Sequence, residues 1–230
     1  MMNIDLRFYV PLRNLDYFIT GVLLTFRLVG LACAFGIVIG MIGAYFKSSQ
    51  NRILQPITGA YIEIFRNTPL LIQLYFVYFA LPTLKINLNA DFTALLVLTL
   101  NMGAYTIEII RGGVESVHKS QIEAGYSLGM NYLQIFRHII LPTAMKTIAP
   151  PVSNQIILLI LSSCLVAQIS AKDLFYQASL LDSRTFRGFE IYTVTGVIYF
   201  ALAEGLYILF YYLNKKIFRT APPQRLSSTL

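Results

Sequence analysis

The ionisable side chains that stand in apolar surroundings are the first candidates for chemistry. Glu63 and Arg66 are three residues apart, as are Glu108 and Arg111, while Arg27 and Glu204 stand singly in long apolar runs. A charge placed inside a bilayer costs roughly 3 kcal/mol or more unless it is paired or wet, so each of these is a functional candidate. At a spacing of three, each Glu/Arg pair can share a helix face and neutralise itself, which reads as a structural ion pair at a helix end. Arg27 can snorkel toward an interface. Glu204 has no partner along its own helix and is expected to pair across helices or to touch a solute. The residues needed for an enzyme are missing: no Ser/His/Asp set, no HExxH and no cluster of carboxylates. His118 and His138 lack ligand spacing, so zinc is not expected. Cys33 and Cys164 lie in apolar runs and read as packed thiols rather than a disulfide.

The elements that carry these residues are membrane spans. Of 230 residues, 56% are apolar and only 13% charged, against about 25% charged in soluble domains. Apolar runs at Leu28–Phe46, Asn67–Leu84, Phe92–Ile107, Thr147–Ala171 and Ile191–Leu213 approach the roughly 20 residues that cross a bilayer as helix. The chain therefore reads as an all-α polytopic membrane protein with five transmembrane helices. The N-terminus lacks a cleavable signal pattern, so the first span is expected to act as its own insertion signal. With alternating loops, the whole net charge of +7 falls on one face. That face holds Lys47, Arg52, Lys119, Arg137, Lys146, Lys215, Lys216, Arg219 and Arg225, against Glu115 and Glu123. The positive-inside bias makes it cytoplasmic, with the N-terminus outside and the C-terminus inside. The basic balance is thus a topology signal, and no nucleic-acid partner is expected.

The segment "IEAGYSLGMNYLQIFRHIILP" (Ile122–Pro142) lies between spans three and four, on the basic side. Ser120 and Glu123 fit a capping box that opens a short helix. Gly129 suits a left-handed turn. Asn131 and Gln134 repeat the cap pattern, and Pro142 predicts a break or a kink. The expectation is helix, glycine turn, helix. Such a pair could lie flat as an amphipathic connector. Tyr126, Leu128 and Met130 at its tip equally suit a docking knob for a partner protein.

The order Glu123-Ala124-Gly125, three residues, Gly129, nine residues, Ile139, one residue, Leu141-Pro142 resembles the EAA loop of ABC importer permeases. Gly125 stands where a second alanine is usual. "EIFRNTPLLIQLYFVYFALP" (Glu63–Pro82) and "AYTIEIIRGGVESV" (Ala104–Val117) are similar to signatures of the binding-protein-dependent type I permeases for polar amino acids: histidine, glutamine, glutamate/aspartate and arginine. Asn67 replaces the usual glycine.

The resemblance implies one permease transmembrane domain over residues 1–219, with 220–230 expected to be a disordered cytoplasmic tail. It implies a subunit of an ATP-driven amino acid importer in the bacterial cytoplasmic (inner) membrane, forming half of a dimeric pathway. Glu123, Ala124, Gly125, Gly129, Ile139, Leu141 and Pro142 would couple it to a cytoplasmic ABC ATPase dimer. This chain has no G-x-x-x-x-G-K-[ST] motif, so it would hold no cofactor, and ATP and Mg would belong to the ATPase. A second permease, identical or homologous, an extracytoplasmic amino-acid-binding protein, the amino acid substrate and membrane lipid complete the expected partners. Candidates for the substrate pathway are Glu63, Arg66, Thr68, Asn101, Glu108, Asn154, Gln155, Ser162 and Ser163. The neutral ones can equally serve as hydrogen-bonding glue between helices. Many family members carry L-L-K-D-[ST]-S-L in span four; here "LILSSCL" (Leu159–Leu165) puts Leu161 and Ser162 in place of Lys and Asp. The alternative is an ion-gradient-driven secondary transporter or channel, which internal inverted repeats would favour and which five spans do not readily supply.

Overall fold

A computed structural model describes residues 7–49 and 51–218. The expected tail at 220–230 lies outside the described residues. Among those described, every regular element is helical. In chain order they are α1 (Tyr9–Arg13), α2 (Leu15–Ser48), α3 (Leu54–Asn67), α4 (Leu70–Tyr75), α5 (Ala90–Glu115), α6 (Lys119–Ser127), α7 (Tyr132–Ile135), α8 (Leu141–Ser162), α9 (Leu174–Thr185) and α10 (Gly188–Phe218). Four stretches are long and apolar enough to cross a membrane: Leu15–Ser48, Ala90–Glu115, Tyr132–Ile169 and Gly188–Ile217. A fifth candidate is the broken pair Leu54–Asn67 and Leu70–Leu84. The expected second span is therefore not one helix. It stops at Asn67 and restarts after Thr68-Pro69, because a residue before proline is pushed out of the α region. Pro69 is extended at φ −57°, ψ 137°, and serves as the N-cap of α4.

Two Leu-Pro steps share a solution. Phe76–Ala80 precedes Leu81-Pro82, and Phe136–Ile140 precedes Leu141-Pro142; both are five-residue π-helical turns. Proline has no N–H and its ring collides with the carbonyl four residues back. Widening the preceding turn accommodates it without ending the helix. Hence Pro142 makes no break: α7, the π turn and α8 run on as one helical segment, Tyr132–Ile169. The helix also continues through Pro150 and Pro151.

The chain forms two compact units from interleaved segments. One comprises the chain up to Ala34, Thr68–Thr99 and Leu158–Gly205. Its core is Phe18, Leu174, Ala178, Leu181 and Ile191, flanked by Val22, Val194 and Ile198. Asp173 caps α9 by accepting from the Tyr176 N–H at 2.8 Å, and Tyr199 Oη donates to its other oxygen at 3.0 Å. The next N–H, of Leu174, donates to Thr25 Oγ1 at 3.0 Å, tying α9 to α2. The other unit comprises Phe35–Asn67, Leu100–Ile157 and the chain from Leu206. Ala44, Ile62 and Ile107 form a core there. Tyr61 donates a hydrogen bond to the Leu100 carbonyl, which holds α3 to α5.

Burial pushes the Asp173 carboxyl up from its ordinary 3.8 to about 6, against the hydrogen bonds that favour its anion. Tyr199 and Cys164 are the titratable groups facing it. A raised acid favours the protonated folded chain. Its contribution to stability is complete below 3.8 and is lost as pH rises through about 6. Thermal unfolding of the purified chain should therefore show stability falling across that window. Asp173→Asn, which keeps the accepting oxygen, should flatten the fall, while Asp173→Ala should cost about 1 kcal/mol through the lost cap. A wild-type melting temperature that does not fall across this window would contradict the assignment.

Candidate functional site: the helix pair between spans three and four

The loop at 118–140 belongs to a single unit, and its geometry follows from its caps. α6 starts at Lys119, with His118 as an extended N-cap and no side-chain cap. The expected Ser120–Glu123 box does not form. The helix begins two residues early, so Ser120 already lies inside the first turn, and Gln121 N–H closes that turn on the His118 carbonyl at 3.0 Å. Glu123 is left exposed, with no ion pair or hydrogen bond through its carboxylate among the described residues. At the other end, Met130 N–H bonds the Gly125 carbonyl at 3.1 Å and Gly129 N–H bonds Tyr126 at 2.9 Å. These are the paired bonds of a Schellman turn, with Gly129 left-handed at φ 75° as expected. The second cap is the box read from the sequence. Asn131 Oδ1 accepts from Gln134 N–H at 2.9 Å, and Gln134 Oε1 accepts from Asn131 N–H at 2.8 Å.

Gly125 explains how the two helices meet. A Cβ there would lie 2.8 Å from Ile139 Cδ1 and 3.0 Å from Ile135 Cγ1. Ile135 is fully buried by this contact. Gly125 and Ile139 are thus brought together, Gly129 makes the turn between the helices, and Leu141 and Pro142 follow at the exposed start of α8. The pair turns apolar groups outward: Leu128 is 81% exposed, Leu133 71%, Tyr132 67% and Tyr126 53%. Met130, expected at the tip, is half-buried; Tyr132 and Leu133 stand there instead. Helical spacing alone did not reveal this, because the turn at Gly129 resets the face of the second helix.

The candidate pathway residues divide between the units. Arg66 and Glu108 meet at 3.6 Å, and Arg66 rests over the Tyr105 ring at 5.4 Å. Glu63 does not pair with Arg66; its Oε2 accepts from Asn67 Nδ2 at 2.6 Å. Glu108 is also held by Arg111 at 3.0 Å. Arg111 continues to Glu115 at 2.7 Å, a residue the sequence reading left out of the network. This ladder of alternating charges lines a cavity of about 650 Å³ with Lys47 and Glu63. Asn101 reaches the Phe65 carbonyl at 3.5 Å. Gln155 is buried and Asn154 half-buried, and neither joins the ladder. In the other unit, Gln73 Nε2 donates to the Thr68 carbonyl at 2.8 Å across the Pro69 break. Ser163 donates to Ile160 at 2.7 Å within its own helix, and Ser162 ends α8. Glu204 lacks the expected partner. It is half-buried with no ion pair or hydrogen bond through its carboxylate among the described residues. The nearest cation on its helix, Lys215, is about three turns away and lies over Tyr211.

The family described as "Binding-protein-dependent transport system inner membrane component" matches residues 36–219. The chain belongs to this family. The permease is 34% identical over 216 residues to the probable glutamine ABC transporter permease protein GlnM of Bacillus subtilis, covering 94% of this chain and 98% of that one. It is 34% identical over 201 residues to the glutamine transport system permease protein GlnP of Escherichia coli K12, covering 86% and 92%. A solved structure described as an amino acid ABC transporter with histidines superposes with a TM-score of 0.88 at 33% identity, covering 93% of this chain and 100% of that chain. The permease is thus an inner-membrane subunit of an ABC transporter with the type I permease fold, and the ATPase is a separate subunit.

The left-handed Gly129 gives a test of the rigid pair. Gly129→Val should cost about 1–2 kcal/mol at that backbone position. Hydrogen exchange of the purified permease should rise across 119–135 and stay unchanged elsewhere. Equal exchange in both proteins would show that the Schellman turn does not hold the two helices together.

Proposed function

We propose that the permease is one of two such subunits lining the pathway of an ATP-driven amino acid importer. The names of its relatives support the solute class. Residues 1–219 act as one transmembrane domain, with the N-terminus outside and the basic loops and C-terminus in the cytoplasm. An extracytoplasmic binding protein delivers the amino acid, and a cytoplasmic pair of ATPase subunits binds ATP and Mg. The single observation that carries the reading is the exposed apolar cap of Tyr126, Leu128, Tyr132 and Leu133 beside the unpartnered Glu123. A knob whose helices are locked through Gly125, Gly129, Ile135 and Ile139 can seat in a groove of the ATPase. Because α7 runs through the π turn into α8, a push on Leu141 and Pro142 enters a membrane-crossing helix directly.

Amino acid movement requires groups that meet a carboxylate and an ammonium weakly enough to release both. The ladder of Arg66, Glu108, Arg111 and Glu115 offers alternating charge of both signs. Glu63 lines the same cavity as the ladder; Asn101, Asn154 and Gln155 are neutral candidates in that unit, and Thr68, Ser162 and Ser163 are neutral candidates in the other.

The test is transport by the complete complex in proteoliposomes. Glu123→Lys and Leu128→Asp should each lower ATP-dependent amino acid uptake by at least about tenfold, the loss expected for a hot-spot contact. Both should also weaken co-purification of the ATPase. Uptake at the wild-type rate in both variants would remove this loop as the coupling contact.

A further inference from the structure

A second cleft lies wholly within the unit that contains α9. It has a volume of about 320 Å³ and is lined by one face of α2, the start of α5 and the residue after the turn that ends the fourth span. Arg27 and Lys172 supply two cations, and Asp91 one carboxylate. Leu28, Leu31 and Leu95 supply an apolar wall. The backbone N–H of Lys172 donates to Asp91 Oδ1 at 2.9 Å, which holds the start of α5 to the 170–173 turn. The Arg27 guanidinium and the Lys172 ammonium are exposed and make no ion pair or hydrogen bond among the described residues, and the second Asp91 oxygen also lacks a protein partner.

The level of this cleft in the bilayer can be read from the chain. From Leu28 to Phe46 α2 carries no charge, which at 1.5 Å per residue is roughly 28 Å, about the thickness of the hydrocarbon layer. Arg27 is the residue just before that run. Asp91 comes just before the apolar run of α5, and Lys172 just after the last helical turn of the fourth span. All three polar groups therefore stand at the entrance to hydrocarbon, while Leu28, Leu31 and Leu95 lie a residue or a turn further into their spans. Polar atoms at one end and branched apolar side chains at the other describe a site for an amphiphile. A free amino acid could match the charges but has no chain to cover the leucines. A purely anionic headgroup would leave Asp91 facing a like charge.

We propose that this cleft seats one bilayer phospholipid with a primary-ammonium headgroup. Its phosphate lies between Arg27 and Lys172, its ammonium donates to Asp91, and its glycerol and acyl chains cover Leu28, Leu31 and Leu95. The lipid supplies Arg27 with a counter-charge that none of the described residues gives it, and it bridges α2 to α5 and the 170–173 turn. The site is separate from the coupling loop and from the charged ladder, and it holds whether or not the amino acid reading is right.

The test uses the complete delipidated complex and native mass spectrometry. Phosphatidylethanolamine, phosphatidylcholine and phosphatidylglycerol with identical acyl chains are added in turn. Wild type should retain one phosphatidylethanolamine per permease chain, about tenfold more tightly than phosphatidylcholine, whose methylated nitrogen cannot donate to Asp91. The double variant R27Q/K172Q should lose about tenfold or more in phosphatidylethanolamine retention. Asp91→Asn, which keeps an acceptor for the Lys172 N–H, should bring phosphatidylethanolamine down to the phosphatidylcholine level. Equal retention of the two lipids by wild type, a preference for phosphatidylglycerol, or displacement of the lipid by free glutamine would each overturn the proposal. The wild-type comparison decides the matter even if a variant fails to assemble.

Discussion

A backbone in hydrocarbon has no water to bond, so every N–H and C=O it carries must find a partner inside the protein. That constraint sets the character of this chain wherever its helices are interrupted. At Thr68-Pro69 the carbonyl of Thr68 is taken by the side chain of Gln73. At Pro82 and Pro142 the helix widens into a π turn and keeps going. At the end of the fourth span Ser170 turns left-handed, and its N–H and that of Ala171 fold back on Ala167 and Val166. The interruptions are thus places where backbone bonds are rerouted rather than lost, and at Thr68 a polar side chain, Gln73, serves as the partner.

The same accounting shapes the loop between spans three and four. Its first helix ends in a complete Schellman turn and its second begins in a complete capping box. With the backbone satisfied at both junctions, side chains are free for other contacts. Gly125 lets Ile135 and Ile139 close over the first helix, so the pair is held by packing as well as by caps. What remains outward is large and apolar, and contact with a second protein is the usual reason for such a surface. The second helix is also the beginning of a membrane-crossing segment. Motion at the knob therefore has no flexible linker in which to dissipate.

Charge is handled in two ways. In the unit holding the helix pair between spans three and four, Arg66, Glu108, Arg111 and Glu115 neutralise one another in a chain that joins α3 to α5. In the other unit Arg27 makes no ion pair among the described residues, and its place at the edge of an uncharged run points to the membrane for a counter-ion. Glu204 belongs to neither pattern: it is half-buried, with no ion pair among the described residues.

The sequence by itself determined the membrane class, the position of the apolar runs, the glycine turn at Gly129, the Asn131–Gln134 cap and the family. Those features depend on composition or on residues within a few positions of each other, where local backbone chemistry decides the outcome. It did not determine the start of α6. A helix N-terminus can shift by a residue or two at little cost, and the move of the N-cap from Ser120 to His118 removed the Ser120–Glu123 box. It offered a break or a kink at Pro142, and the helix is not broken there, because proline's effect is local but its remedy, a widened preceding turn, depends on what the helix packs against. The choice of Glu108 over Glu63 as the partner of Arg66 was decided only in three dimensions. Pairing across helices depends on which faces meet, and helical spacing within one segment carries no information about its neighbour.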